Sequence, residues 1–438
     1  MAVTPNIALD RVLERIEVLP DQERPIGDAL DHILSEEVHS PIQIPSFDNS
    51  AVDGYAVRAS DIGESQGLTV VGDVRAGDLC TCEVAQGTAV RVMTGAAIPT
   101  GADAVIPYER TRETSELEDV PESAPMTTRI PGRVFIEDEV AAGVNIRRAG
   151  EDVAEGSRLF RPGHALGPSE IAVLAAIGRA TVRVIPKPKV AVVATGDELV
   201  DPGAELPPGK VFNSNGYAIA ALVARVGGDL SFCGIARDSA GELIARLEQV
   251  AEQSDLVVTT GGASRGVYDI VSKIGSSEWL VEPLAVRMRP GKQLVIGWLP
   301  FSARRPVPFI GLPGSPVAAM VGFELFVRPA IMRMRGMTDV EPAVVSAIAA
   351  EEFPNTMGVI SFLRVRITVR AGQYYVSSGG AGRSHGLRSL LGATGLAEIP
   401  ADGGIGEGEP VRVRLTGWSG LPVQSAPPAD ERRRLFTD

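Results

Sequence analysis

The stretch from Lys189 to Met334 constrains the fold more than any other part of the chain. Its rhythm, which sets in from about Arg179, alternates apolar runs with amphipathic ones. "PKVAVVATG" reads as a buried strand, "NGYAIAALVARVGG" as a helix ending on glycine, "DLSFCGIARD" as a strand and "AGELIARLEQVAEQ" as a helix. "DLVVTTGG" is a strand, "VYDIVSKIG" a helix and "VPFIGLPG" a strand. "SPVAAMVGFELFVRPAIMRM" is a long helix that Ser315 caps, with Pro316 in its first position. Strands that are apolar throughout and alternate with helices predict a parallel, doubly wound α/β sheet covered on both faces.

In an open sheet of that kind, ligands bind beyond the carboxyl ends of the strands, where loops carry the polar groups. The first strand delivers Thr195, Gly196, Asp197 and Glu198, the second Asp238, and the third the run from Thr259 to Asp269. "RMRPGK" brings Arg287, Arg289 and Lys292, and "GLPGSP" brings Pro313, Gly314 and Ser315. Gly261, Gly262, Ser264 and Gly266 permit close backbone approach, so their amides can cradle an oxyanion. The helix start after "GLPGSP" adds the positive end of a dipole, and Arg289 and Lys292 add full charge. Glu198, Asp238 and Asp269 are oxygen donors suited to Mg²⁺, which takes one or two carboxylates plus substrate phosphates. An anion cradle beside such carboxylates is what phosphoryl or nucleotidyl chemistry needs.

Other nucleotide and metal signatures fail on spacing. Ala263 stands where a dinucleotide fingerprint needs its second glycine. "GAELPPGKV" has five residues between its glycines and a valine after its lysine, which rules out a P-loop. His32, His39, His164 and His385 are scattered, against a histidine zinc site or a Ser-His-Asp triad.

The rest of the chain has other textures. Thr4 can cap and Pro5 can open a first helix, on which Ile7, Val12, Leu13 and Ile16 recur at helical spacing. From about residue 27 to 142, short apolar runs such as "LTVVGDV", "TAVRVMTG" and "DAVIPYE", broken by Gly and Pro, predict a β-rich module. Within it the acidic "RETSELEDVPESAP" reads as an exposed loop. After about residue 335, "SFLRVRITVR" and "EPVRVRLTGW" alternate as in a small β-barrel or sandwich, and the tail "PPADERRRLFTD" is expected to be disordered. A chain of 438 residues is too long for one core and predicts two to four domains.

A formal charge of −13 argues against nucleic-acid binding, which needs a basic face. Cys80, Cys82 and Cys233 are too few for a disulfide framework, and C-x-C lacks the second pair a structural zinc needs. "MAVTPNIALDRVLERI" does not read as a secretory leader, and no run of eighteen apolar residues occurs, so a cytoplasmic protein without membrane association is expected. One stretch stays odd: "PSFDNSAVDGYAV", Pro45 to Val57, packs polar residues between Phe47 and Tyr55 with neither helical nor clean strand periodicity. A plain strand would avoid Asp53-Gly54, and a plain turn needs fewer polar groups.

"FDNSAVDGYAV", "RVMTGAAIPTGADAVI", "NIRRAGEDV", "VVATGDEL", "TTGGASRGVYD", "RPGK" and "GLPGSPVAA" occur in that order. In sequence and spacing the chain from about residue 5 to 417 resembles the molybdopterin molybdenumtransferases, the MoeA proteins, which include the E domains of gephyrin and its plant counterparts. The resemblance implies an elongated homodimer of four-domain subunits that inserts molybdate into adenylylated molybdopterin and releases AMP in a Mg²⁺-dependent step. Implied domains are a discontinuous linking domain I (1–26 and 143–178, with part of 41–50), a β-rich domain II (27–142), a MogA-like α/β molybdopterin-binding domain III (179–334) and a C-terminal β-barrel domain IV (335–418), before the tail 419–438.

On the same resemblance Asp53 matches the aspartate of the "DGYA" motif, which faces the intersubunit cleft, so that the active site is completed across the dimer. Thr94 matches the threonine of "MTGA", Asp152 the aspartate of "GED", and Glu198, Asp238 and Asp269 the acidic positions of the α/β domain, with Glu198 and Asp269 on the metal. Arg289 replaces a lysine before "PGK", Lys292 is retained, and Ser384 resembles the "GSH" serine. Ser315 and Ala285 depart from the family pattern; Arg287 stands near the missing lysine. Asp53, Asp238 and Asp269 are alternative candidates for the activating base. Two other activities are open to the same fold, a scaffold or binding protein and a molybdopterin adenylyltransferase. The carboxylates favour catalysis over the first, and the extra domains with "DGYA" favour metal insertion over the second.

Overall fold

The computed structural model describes residues 2–63, 67–79, 81–114, 132–136, 140–261, 281–300, 305–378 and 386–418. The chain divides into two compact units. One comprises Met1–Ser35, Gly163–Gly167 and Thr181–Asp438, the other Glu36–Pro162 and Pro168–Ala180.

At the centre of the first unit is a six-stranded sheet in the order Asp229–Ala236, Lys189–Thr195, Leu256–Thr260, Val307–Leu312, Gln293–Leu299, Val281–Ala285. The first four strands are parallel. Val190 and Val192 face one apolar cluster and Ala191 and Val193 another, so both faces are buried, which is why these strands read as unbroken apolar runs. Helices Ser214–Arg225 and Ala240–Ala251 start where sequence places them, capped by Asn213 and Ser239. The expected helix "VYDIVSKIG" lies outside the described residues.

Two features correct the sequence reading. The sheet is not parallel throughout, because Gln293–Leu299 and Val281–Ala285 form an antiparallel extension of it. The helix that begins at Pro316 is not uniform either. An α-helical turn over Pro316–Gly322 widens to a π-helical one over Phe323–Val327 before α-helix resumes at Arg328–Met334. Pro329 has no amide hydrogen to give the turn before it, and a wider turn upstream accommodates that loss.

The widened turn carries Glu324, which is 1% exposed. It accepts from Trp418 Nε1 at 2.8 Å and from Arg328 Nη1 at 3.2 Å. Burial raises its pKa, and Arg328 and Trp418 oppose the rise without cancelling it. A carboxyl that holds its proton more tightly folded than unfolded stabilises most at low pH, and that contribution falls as pH rises through the window between the two values. Glu324→Gln, which does not titrate, should therefore gain melting temperature relative to wild type between pH 4 and pH 8, about the range where such a carboxyl titrates. Glu324→Ala should cost about 3 kcal/mol by leaving the Trp418 indole N–H and the partly buried Arg328 guanidinium without their acceptor. Thermal melts of the three proteins at several pH values check both expectations.

The first helix, Pro5–Leu13, is capped by Thr4 as expected, its Oγ1 accepting from the Ile7 amide at 3.4 Å. Arg11 and Arg15 both bond Glu282 on the edge strand Val281–Ala285, and this charge and cover protect the edge from further pairing. The C-terminal part closes into a barrel through Val344–Ala349, Ile360–Arg370, Gln373–Ser377, Gly395–Ile399 and Pro410–Leu415. Alternation is clean there: Val411 and Val413 point into its core, while Arg412 and Arg414 meet Glu398 outside.

The second unit is built on a six-stranded sheet in the order Ala104–Pro107, Gly54–Val57, Thr88–Val92, Leu68–Val74, Arg133–Ile136, Thr111–Thr114. Tyr55 and Val57 face one apolar cluster and Ala56 the other, so the strand inside "DGYAV" is buried on both sides. Of the C-x-C pair, Cys82 packs beside Gly72, and Cys80 lies outside the described residues. No described helix is long and apolar enough to cross a membrane.

Candidate active site

Two groups of the expected residues form, one in each unit. In the α/β unit, the Gly196 amide donates to the Ala236 carbonyl at 3.2 Å and ties the ends of the first two strands together. The Glu198 carboxylate folds over Gly196, where a Cβ would lie 2.5 Å from its Oε2. Two cations brace this turn. Lys210 Nζ donates to the Asp197 carbonyl at 2.6 Å, and Arg237 Nη1 donates to the carbonyls of Asp197 and Leu199 at 3.1 and 3.2 Å. The Asp238 amide donates to Asp197 Oδ1 at 3.2 Å, so Asp197, Glu198 and Asp238 share one exposed loop cluster.

Beside it, backbone packs on backbone. Gly261 has φ +88°, and a side chain there would run into the Thr195 carbonyl oxygen. The Gly261 amide donates to the Leu312 carbonyl at 3.3 Å, and a Cβ on Gly314 would lie 3.3 Å from Gly261 Cα. The ends of three parallel strands thus meet with no side chain between them, and peptide groups are brought to the edge where a ligand would sit. Thr195 is part of this floor. It is 4% exposed and its hydroxyl reaches 3.4 Å to the Thr260 carbonyl within the sheet. Ser315 occupies the N-cap position, but its hydroxyl makes no capping bond; the helix starts on its backbone carbonyl, which accepts from Ala319 at 2.8 Å.

"RMRPGK" is the turn between the two antiparallel strands rather than the end of a parallel one. It still reaches the same edge of the sheet, because Val281–Ala285 runs in the direction of Val307–Leu312. Met288–Arg289 pairs with Ile360–Ser361 of the barrel. Gly291 sits against the helix after "GLPGSP", a Cβ there lying 3.5 Å from the Ala318 carbonyl oxygen. Arg289 and Lys292 are exposed on this turn.

Lys210, Arg237 and Asn215 were not singled out in the sequence. Asn215 Nδ2 donates to the Gly314 carbonyl at 2.8 Å and fixes that loop to the start of helix Ser214–Arg225. The available signal was "NSN" at a helix start following a loop with "PGK". Gly262, Ser264, Asp269 and Ser384 lie outside the described residues.

In the other unit, Asp53 and Thr94 come together from positions forty-one apart. Asp53 Oδ1 accepts from the Thr94 amide at 2.7 Å and from its hydroxyl at 2.8 Å. Both residues are exposed, and Asp53 Oδ2 makes no bond among the described residues. The odd stretch Pro45 to Val57 is the seam that assembles this site. Asn49–Ser50 pairs with Ile146–Arg147, the Gly95 amide donates to the Ser50 carbonyl at 2.8 Å, and the Gly150 amide donates to the Pro45 carbonyl at 2.9 Å. Asp48 accepts from the Ala149 amide and from Arg148, and these bonds hold its carboxyl below the usual range against a small opposing effect of burial. "FDNS", "MTGA" and "RRAGED" are thereby fastened together, which accounts for the polar residues between Phe47 and Tyr55. Asp152 is exposed in the third of these segments, its amide bonded to the Ile44 carbonyl at 3.1 Å, and it makes no bond to Asp53 or Thr94.

Three regions of the chain match described protein families. Residues 3–178 match the "MoeA N-terminal region (domain I and II)", 191–333 the "Probable molybdopterin binding domain" and 346–416 the "MoeA C-terminal region (domain IV)". The chain is 35% identical over 389 residues to a protein of Mycobacterium tuberculosis (strain CDC 1551 / Oshkosh) named "Molybdopterin molybdenumtransferase 2", covering 86% of this chain and 90% of that protein. It is 33% identical over 418 residues to the "Molybdopterin molybdenumtransferase" of Staphylococcus aureus (strain MSSA476), covering 93% and 94%. Among solved structures, "molybdopterin biosynthesis moea protein from Pyrococcus horikosii" superposes with a TM-score of 0.76 at 31% identity, over 96% of this chain and 100% of that one.

Proposed function

This chain belongs to the MoeA family, the molybdopterin molybdenumtransferases, and on that premise we propose that it inserts molybdate into adenylylated molybdopterin with release of AMP. It is a transferase of molybdenum cofactor biosynthesis. The observation that carries the specific reaction is the side-chain-free floor where Gly261 packs between the Thr195 carbonyl and Gly314. The Gly196 and Gly261 amides are themselves spent on the Ala236 and Leu312 carbonyls, so the Gly261 amide is not part of an oxyanion cradle. What the floor provides is room for close approach, with acidic groups towards one side of the sheet and Arg289 and Lys292, which would meet a ligand's oxyanions, towards the other. Neither alternative accounts for as much: an adenylyltransferase reading uses only the α/β region, whereas matched regions flank it on both sides.

In this proposal Arg289 and Lys292 neutralise phosphate and molybdate charge, Arg289 in bidentate fashion and Lys292 as a point charge. Asp53, oriented by Thr94 and with one carboxylate oxygen open, is a candidate to accept a proton, as are Asp238 and Asp269. Mg²⁺ belongs to the same proposal. Among the described residues no three acidic, His or Cys groups converge as a complete metal cage. Mg²⁺ does not require one: Glu198, with Asp269, would hold it together with substrate phosphates, and when bound it polarises a phosphate oxygen. We further propose a cytoplasmic homodimer with no nucleic-acid or membrane partner, the four-domain division read from sequence, and a site completed by the Asp53 face of the partner subunit. The test supplies purified protein with adenylylated molybdopterin, molybdate and Mg²⁺ and follows AMP. AMP release that EDTA abolishes and Mg²⁺ restores is expected; binding of the adenylate with no AMP formed would leave a carrier and end the proposal.

A further inference from the structure

We infer that the Tyr108 hydroxyl donates a hydrogen bond to a tetrahedral oxyanion of the substrates at the Asp53 site, either the phosphate of the adenylate or molybdate. The inference rests on the transferase reading and assigns it a binding residue that no motif contains.

Tyr108 opens the turn that follows strand Ala104–Pro107, and its amide donates to the Asp53 carbonyl at 3.3 Å. Its ring is fixed. It meets Tyr55 edge-on, with centroids 5.5 Å apart and planes at 75°, and Tyr55 is fully buried with its own hydroxyl bound to Glu113 at 2.5 Å. The ring is half-buried, and its hydroxyl reaches only Met93 Sδ, at 3.9 Å. A thioether is a weak acceptor, so among the described residues this phenol has no oxygen or nitrogen to donate to. Met93 directly precedes Thr94, which places the uncommitted donor next to the Asp53–Thr94 pair.

The surroundings keep the donor protonated. Arg91, 4% exposed, stands opposite Tyr55 in the neighbouring strand and is held by Asp73 at 2.8 Å. Burial pushes the Tyr108 hydroxyl up to about 12, against the pull of Arg91 and with Asp53 and Asp73 adding to the rise. Half-buried phenols normally find a partner. This one is held rigidly, stays protonated and lies beside a carboxylate oriented by a threonine; with no oxygen or nitrogen acceptor among the described residues, it is placed to donate to a bound ligand.

Tyr108→Phe keeps the ring and its contact with Tyr55 and removes only the donor, while Tyr108→Leu removes the ring as well. Initial rates of AMP release are measured with molybdate varied at saturating adenylate, then with the adenylate varied at saturating molybdate. The expected result is an increase of about tenfold or more in one KM for Tyr108→Phe, as for a lost hydrogen bond to a charged group, with its melting temperature unchanged. An increase on the molybdate axis identifies molybdate as the oxyanion, and one on the adenylate axis identifies the phosphate. Wild-type values on both axes for Tyr108→Phe, with loss confined to Tyr108→Leu and accompanied by a lower melting temperature, would make Tyr108 purely structural and overturn the inference alone. A wild type that releases no AMP would overturn the transferase reading and this inference with it.

Discussion

Alanine at Gly54 is expected to destabilise the unit formed by Glu36–Pro162 and Pro168–Ala180 by about 3 kcal/mol or more, as forced overpacking against rigid backbone does. Gly54 lies on the strand between Ala104–Pro107 and Thr88–Val92, inside the sheet. A Cβ there would fall within contact distance of the Ile106 carbonyl oxygen and carbon, and neither can rotate away as a side chain would. Glycine after Asp53 is therefore a packing requirement of the neighbouring strand. Urea unfolding of wild type and Gly54→Ala, followed by Trp-independent far-UV circular dichroism, checks it, and an unchanged midpoint would contradict it.

Replacing Asp53 by asparagine should have the opposite profile. The carbonyl oxygen of the amide can still accept from the Thr94 amide and hydroxyl, so the turn is retained and stability should change by less than about 0.5 kcal/mol. The charge and the second carboxylate oxygen are lost, and kcat for AMP release should fall by about 10²-fold or more if Asp53 is the proton acceptor. A fall in kcat without a fall in melting temperature separates chemistry from folding. If kcat is retained, the acceptor is sought at Asp238 or Asp269.

Legibility in the sequence followed the strength of local constraint. Lys189–Thr195 and Leu256–Thr260 were readable because a strand buried on both faces is apolar along its central run, here Val190 to Ala194 and Leu256 to Val258. Val281–Ala285 was not, since "VEPLA" carries a Glu and a Pro. Glu282 is there to receive Arg11 and Arg15, and that reason exists only in the folded chain. The π-helical turn over Phe323–Val327 leaves no apolar signature of its own, and the uncapped Ser315 looks identical in sequence to a capping one.

Of the sites, Asp53 and Thr94 were nominated by motif and are joined by hydrogen bonds, whereas Asp152, named on the same grounds, has no bond to either. Lys210, Arg237 and Asn215 were missed because they act on backbone carbonyls, and a side chain that braces a carbonyl needs no distinctive neighbour in sequence. Tyr108 was missed for a related reason: that its hydroxyl meets no oxygen or nitrogen acceptor among the described residues is visible only in three dimensions.

The most direct test of the central claim is a stoichiometry. Wild-type protein would be given a limiting amount of adenylylated molybdopterin with Mg²⁺ and molybdate. AMP released would then be compared with the molybdenum cofactor formed, measured by reconstitution of a cofactor-free molybdoenzyme. Transfer coupled to adenylate cleavage predicts about one cofactor formed per AMP, and any fall in rate in Asp53→Asn should slow both signals equally. AMP appearing at the same rate without any active cofactor, or cofactor forming without AMP, would contradict it.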